Sequence, residues 1–248
     1  MKSILIIIFS LLLSSIAYPT TIHDQLKVID NLFDTRDKDS HISLTLELID
    51  SSKEYVTTKR HEYELHWRYA RSASRTPEYL NASKSEKLAI LEMGVTRGLK
   101  ATELYPTKIL GHYWYAVALG RQAELKGIFK SLSSVKPIHA TMKTILELDP
   151  NFHRAHFVLS RLYRKAPKGI SIGNPNLALK HINEALSMDP KESMYLLEKA
   201  RVLVKLKKKA QARSLLRDFL NMPYNPRYFK DQVDRDKKEA QELLEKIS

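Results

Sequence analysis

His153-Arg154-Ala155-His156-Phe157-Val158-Leu159-Ser160-Arg161-Leu162-Tyr163 is followed, after thirteen residues that include a Pro- and Gly-containing loop from Ala166 to Pro175, by Leu177-Ala178-Leu179-Lys180-His181-Ile182-Asn183-Glu184-Ala185-Leu186-Ser187-Met188-Asp189-Pro190. Both runs carry apolar residues at helical spacing, such as Ala178, Ile182 and Ala185 in the second. Outward from this pair, prolines close apolar helix ends at Pro106, Pro150, Pro190 and Pro223, with separations of 44, 40 and 33 residues. Helical periodicity extends over 22–34, 41–52, 55–75, 83–104, 107–125, 132–148, 152–165, 175–188, 192–206, 208–221 and 227–247. No stretch sustains strand-like alternation, and only seven glycines occur in 248 residues. The spacing predicts an all-α chain of stacked helix pairs.

These residues resemble the tetratricopeptide (TPR) family, whose helix-pair unit repeats every ~34 residues and carries a Pro near its end. With a repeat starting at His153, the family's aromatic, Leu, small and Tyr positions fall on His156, Leu159, Ser160 and Tyr163. Its Ala, Phe and Ala positions in the second helix fall on Ala178, Ile182 and Ala185, if Ala166 to Pro175 holds a six-residue insertion. The next repeat keeps Ala200, Leu203, Ala212 and Leu216, and departs at Lys199 and Phe219. The preceding one gives His112, Tyr115, Ala116 and Leu119, with Gly94 and Ala101 upstream; before Trp67 only periodicity persists. The resemblance implies a right-handed solenoid of about five antiparallel pairs, in which small residues let helices approach closely. The expected organisation is a signal peptide over 1–17, divergent helix pairs over 18–105, TPR-like repeats over 106–223 and a capping helix over 224–248.

A narrower resemblance covers about residues 85–222. His112-Tyr113-Trp114-Tyr115-Ala116-Val117-Ala118-Leu119, then Leu148-Asp149-Pro150, then Tyr163 with Ala166-Pro167 and a Gly-containing loop are similar to one divergent group. That group contains the periplasmic T-components of TRAP-type solute transporters and the regulator-of-microtubule-dynamics proteins. The T-component side implies an accessory role in solute uptake, although this chain has no lipid-bearing Cys.

The first residues read as an export signal: Lys2, the apolar run Ile4–Leu13 broken by Ser10, then Ser15-Ile16-Ala17 with small residues placed for cleavage near Ala17. The expected product is periplasmic or secreted, with membrane contact at most peripheral. The absence of cysteine excludes disulfides, thiolate metal sites and cysteine nucleophiles. A formal charge of +13, from 41 Lys and Arg against 28 Asp and Glu, favours anionic partners; export argues against nucleic acid.

Catalytic patterns are wanting, so a non-enzymatic protein without cofactor or metal is expected. His61 and His66 stand at i and i+5, about 140° apart on a helix, and cannot chelate one ion as an i, i+4 pair would. His153 and His156 share a face, but the repeat register makes His156 a packing residue. The concave face of the first helices offers a binding groove instead. Tyr113 and Arg121 come from one helix, Arg154, Phe157, Arg161, Arg164 and Lys165 from the next, and Arg201 and Lys205 from a third. Arginine grips carboxylates in bidentate fashion, and aromatics add apolar area. Such a groove suits a protein or peptide partner with an acidic segment, or a small organic anion. The alternative for these charges is solvation or pairing with Glu147, Glu184 and Glu198. The rival for the whole chain is a structural cell-envelope protein, held by its basic surface to anionic polymer or membrane.

Overall fold

The computed structural model describes residues 21–36, 41–127 and 132–248. Among them are eleven α-helices: α1 (Ile22–Asp34), α2 (His41–Ser51), α3 (Lys59–Tyr79), α4 (Lys84–Leu104), α5 (Ile109–Lys126), α6 (Leu132–Leu148), α7 (His153–Lys165), α8 (Pro175–Met188), α9 (Ser193–Lys205), α10 (Lys209–Asn221) and α11 (Lys230–Ile247). Consecutive helices pair as antiparallel hairpins and the pairs stack, giving five pairs and a final helix against α9 and α10. The all-α TPR-like solenoid is the observed architecture. The expected signal segment, 1–17, lies outside the described residues.

The repeat register is visible as burial. Leu159, Ser160, Ala178, Ile182, Ala185, Ala200, Ala212 and Leu216 are all fully buried. Small residues work where backbones nearly touch: a Cβ on Gly98 of α4 would lie 2.7 Å from the Tyr115 Cα of α5. Asn174 caps α8, its side chain accepting from the Asn176 and Leu177 N–H groups. In the insertion before α8, a Cβ on Gly173 would sit 2.1 Å from the Ala166 carbonyl oxygen, so only glycine closes that turn.

The largest boundary difference is α3, expected over 55–75 and found over Lys59–Tyr79. Ser52–Tyr55 forms a short 3-10 turn, and Thr58 caps α3 by accepting from the His61 N–H. At the other end the helix runs through Pro77 for one more turn. A proline loses one hydrogen bond and crowds the carbonyl four residues back, yet it is tolerated in a terminal turn of a helix packed along much of its length. That extra turn carries Glu78 and Tyr79.

Candidate ligand groove and its ring of ion pairs

A cavity of 570 Å³ opens between α5 and α7, over α6, with α9 and the end of α3 completing its wall. Its floor is apolar, with Ala116, Val117, Val135, Ile138, Val158 and Leu162. Eight of the nine residues named from the sequence line it: Tyr113, Arg121, Phe157, Arg161, Arg164, Lys165, Arg201 and Lys205. Arg154 does not. It shares a helix face with Arg161 but stands seven residues earlier, about 10 Å along the axis, at the edge where α7 begins.

Most of these cations already hold a carboxylate. Arg121 of α5 reaches Glu78 of α3. Arg161 and Lys165 of α7 converge on Glu124 of α5, the lysine at 2.6 Å. Arg164 of α7 grips Glu198 of α9 in a fork, at 2.7 and 2.8 Å. Arg201 of α9 meets Glu239 of α11. Arg235 of α11 then returns to Glu78 at 3.4 Å, while the Tyr79 hydroxyl donates to Asp231 and accepts from Arg235 at 2.9 Å. Each first helix is thus bridged to the next, and α11 closes the circuit onto α3. Arg36, buried just after α1, stacks its guanidinium 3.9 Å from the Phe229 ring centre beside that closure.

Electrostatics follow from this company. Burial pushes the Glu124 carboxyl up, but Arg161, Lys165 and Arg121 outweigh it and hold its pKa at about 2. Burial acts on Glu78 in the same sense and is overcome by Arg75, Arg121 and Arg235, leaving its pKa below the usual range. Seven cations line the cavity, counting Arg75, and among the described residues four carboxylates, Glu78, Glu124, Glu198 and Glu239, pair with them. Lys205 makes no ion pair there. An incoming anion meets a net positive wall over an apolar floor.

Several sequence expectations are corrected by this geometry. Of the acids proposed as partners, Glu198 is one; Glu147 and Glu184 are exposed on the second helices α6 and α8, away from the first-helix face. Sequence reasoning missed Arg75, Glu78, Glu124 and Glu239. Part of their signal was present: Arg75 and Glu78, Arg121 and Glu124, and Glu198 and Arg201 stand at three-residue spacing on α3, α5 and α9. Tyr113 is largely a core residue, packed edge-on against Trp114 and Phe152. His153 and His156 each contact a neighbouring helix. His153 Nδ1 lies 2.8 Å from the Tyr195 hydroxyl, and His156 Nδ1 lies 2.9 Å from His181 Nδ1. Among the described residues no cluster of three His, Cys, Asp or Glu is arranged for a metal, and no helix is long and apolar enough to cross a membrane.

Residues 25–248 match the family described as Regulator of microtubule dynamics protein 1-3. Regulator of microtubule dynamics protein 3 of Rattus norvegicus is 34% identical over 95 residues, 38% of this chain and 20% of the rat protein. Among solved structures, a thermophilic TPR protein of Thermus thermophilus superposes with a TM-score of 0.65 at 12% identity, covering 90% of this chain and 99% of that one. MamA from Desulfovibrio magneticus gives a TM-score of 0.50 at 14% identity, covering 79% and 94%. These structural likenesses establish the TPR-like fold. The family match fits the regulator side of the narrower resemblance and not the transporter T-component side. It also overturns the expected export to periplasm or exterior. The family is named for the regulation of microtubules, and microtubules are polymers of the cell interior. The envelope-protein alternative falls with it.

Proposed function

This chain belongs to the Regulator of microtubule dynamics protein 1-3 family, and from that premise we propose that it is a non-catalytic interaction scaffold whose concave groove takes an acidic peptide segment of a protein partner. The observation that carries this reading is the excess of cations over carboxylates around one 570 Å³ apolar-floored cavity. Electrostatic complementarity of that kind selects acidic partners and speeds their encounter. The ring of ion pairs suggests how binding proceeds. Arg161 and Lys165 are held by Glu124, whose side chain is 34% exposed, so a ligand carboxylate can exchange for it without leaving a buried charge unpaired. Arg164 is different. Its partner Glu198 is 1% exposed, so that pair is a fixed element of the wall. The partner serves microtubule regulation in this reading, as the name of the family indicates.

The test uses a Glu-rich peptide and its Gln-rich counterpart, with binding followed by fluorescence anisotropy. Arg161→Glu with Lys205→Glu is expected to weaken the Glu-rich peptide by at least about tenfold, because two attractive contacts become repulsive. The Gln-rich peptide should bind poorly to both proteins. Unchanged affinity for the Glu-rich peptide, with helicity intact by circular dichroism, would overturn the groove assignment.

A further inference from the structure

The two edges of the solenoid differ in charge. The C-terminal ends of the first helices α5, α7 and α9 emerge on one edge and surround the cavity mouth, which Gly127, Ala166, Pro167 and Lys205 line together. This edge is basic. Lys126 ends α5, Lys168 lies in the turn before α8, and Lys207, Lys208 and Lys209 form the turn into α10; all five are exposed, and none makes an ion pair among the described residues. The sequence holds no Asp or Glu between Leu125 and Leu146, between Pro150 and Asn183, or between Lys199 and Arg217. The opposite edge is mixed in sign, its turns carrying Asp149, Asp189 and Glu192 alongside Lys108, Lys191 and Arg227.

Helix stability explains only part of this. A cation at a helix C-terminus, such as Lys126, interacts favourably with the helix dipole. Lys208 and Lys209 stand at the start of α10, where the dipole repels cations; Lys208 occupies the cap position without a capping hydrogen bond, and the first turn has no acid. Lys207 adopts φ of +62°, a left-handed conformation that favours glycine. Local structure alone would choose Gly, Asn or Ser, then an acid, over these three residues.

We propose that this basic edge is a docking face for an acidic surface on a folded protein, and that it acts separately from the groove. The lysines are borne on turns of fixed geometry: Lys207 at its positive φ, and Lys168 beside Gly169 at φ +91° in a turn locked by Gly173. Charges at fixed positions on two described turns and the neighbouring end of α5 match a partner whose own charges are fixed. A fluid lipid headgroup layer requires no such register. Ile170, 72% exposed at the tip of the middle turn, adds an apolar contact point.

The experiment is co-sedimentation of the full chain with microtubules, used as an acidic protein polymer, with phosphatidylserine vesicles in parallel. The wild-type chain is expected to pellet with microtubules and to be released by salt, as exposed charges are screened. Changing Lys168, Lys207, Lys208 and Lys209 together to Glu is expected to weaken this binding at least about tenfold, while Arg161→Glu in the groove leaves it unchanged. Should the Glu variant lose helicity, the same four positions changed to Gln, with Gly at 207, provide a fold-neutral version with the same expected direction. The proposal is overturned if wild-type protein fails to pellet with microtubules, whether or not vesicles capture it. It is also overturned if a folded edge variant binds as wild type, or if Arg161→Glu alone abolishes binding.

Discussion

The two ends of the solenoid reach the same architecture by different means. At the N-terminal end, α3 and α4 run 21 residues each and cross where glycines remove side chains altogether; a Cβ on Gly94 would lie 2.7 Å from Ala73 Cβ. At the C-terminal end, α9 and α10 run 13 residues each and use alanines at the family's small positions, Ala200 and Ala212, both fully buried. The longer helices do more than pack. The last turn of α3 projects Glu78 and Tyr79 to where α11 arrives, so the N-terminal end supplies the acceptor that closes the ring. The difference teaches that the repeat pattern accounts for stacking, whereas closure depends on extra helix length outside the pattern.

Breaking the ring at its two ends should therefore have unequal effects. Glu78 is 17% exposed and neutralises Arg75, Arg121 and Arg235. Glu78→Ala leaves three cations facing one another in a largely buried site and should cost about 3–5 kcal/mol. Glu239 is 52% exposed with Arg201 as its partner, and Glu239→Ala should cost under about 0.5 kcal/mol. Urea unfolding of both variants measures this. Equal losses would show that the closure onto α3 is no more important than any other rung.

The packing devices differ in the same way. Gly98→Ala pushes a methyl group to 2.7 Å from the Tyr115 Cα, and backbone cannot swing aside as a side-chain tip can. A loss of about 2–3 kcal/mol is expected despite the better helix propensity of alanine. Ala212→Gly, the reverse change at the C-terminal end, should cost only about 1 kcal/mol, chiefly from propensity. Thermal melts of the pair settle the order; a stabilising Gly98→Ala would mean that α4 and α5 can separate freely.

The sequence was most legible where the repeat register was strongest. From His153 to Phe219 the helices, their small residues and the insertion before Pro175 follow from apolar spacing and turn chemistry. The groove was legible to the level of residue membership, because solenoid helices present fixed faces. Two things were not. Pro77 reads as a helix end, and only tertiary packing carries α3 past it, so Glu78 was invisible as a site residue. Apart from the i, i+3 pairs of Arg75 with Glu78 and Arg121 with Glu124, the cation partners lie 34 to 157 residues away in sequence, and spacing along one helix cannot say which acid on the next it will meet. The three-residue recurrence of Arg and Glu hinted at a ladder but not at its closure. Localisation was not legible for a further reason: a charged residue, an apolar stretch and small residues fit an export signal, while the family match points to microtubules, polymers of the cell interior.

A buried acid at the C-terminal end sharpens the comparison through pH. Asp236 of α11 is 4% exposed, like Glu78 largely removed from water, but it has no cation in contact. It accepts from Ser193 Oγ at 2.6 Å and Gln232 Nε2 at 3.0 Å. Burial dominates and raises its pKa from 3.8 to about 6, the hydrogen bonds only partly opposing. The two carboxyls therefore titrate in opposite senses. Glu78, with its pKa lowered, stabilises the fold when ionised and loses that contribution as pH falls through its folded value. Asp236, with its pKa raised, contributes fully below pH 3.8 and loses its contribution as pH rises through about 6. Asp236→Asn keeps a hydrogen-bonding side chain and removes the buried charge. It should raise stability by about 1–2 kcal/mol at pH 8 and match wild type at pH 4, read as a pH series of melting temperatures. A gain that does not change with pH would show that Asp236 carries no buried charge at neutral pH, and that α11 is docked by its apolar face alone.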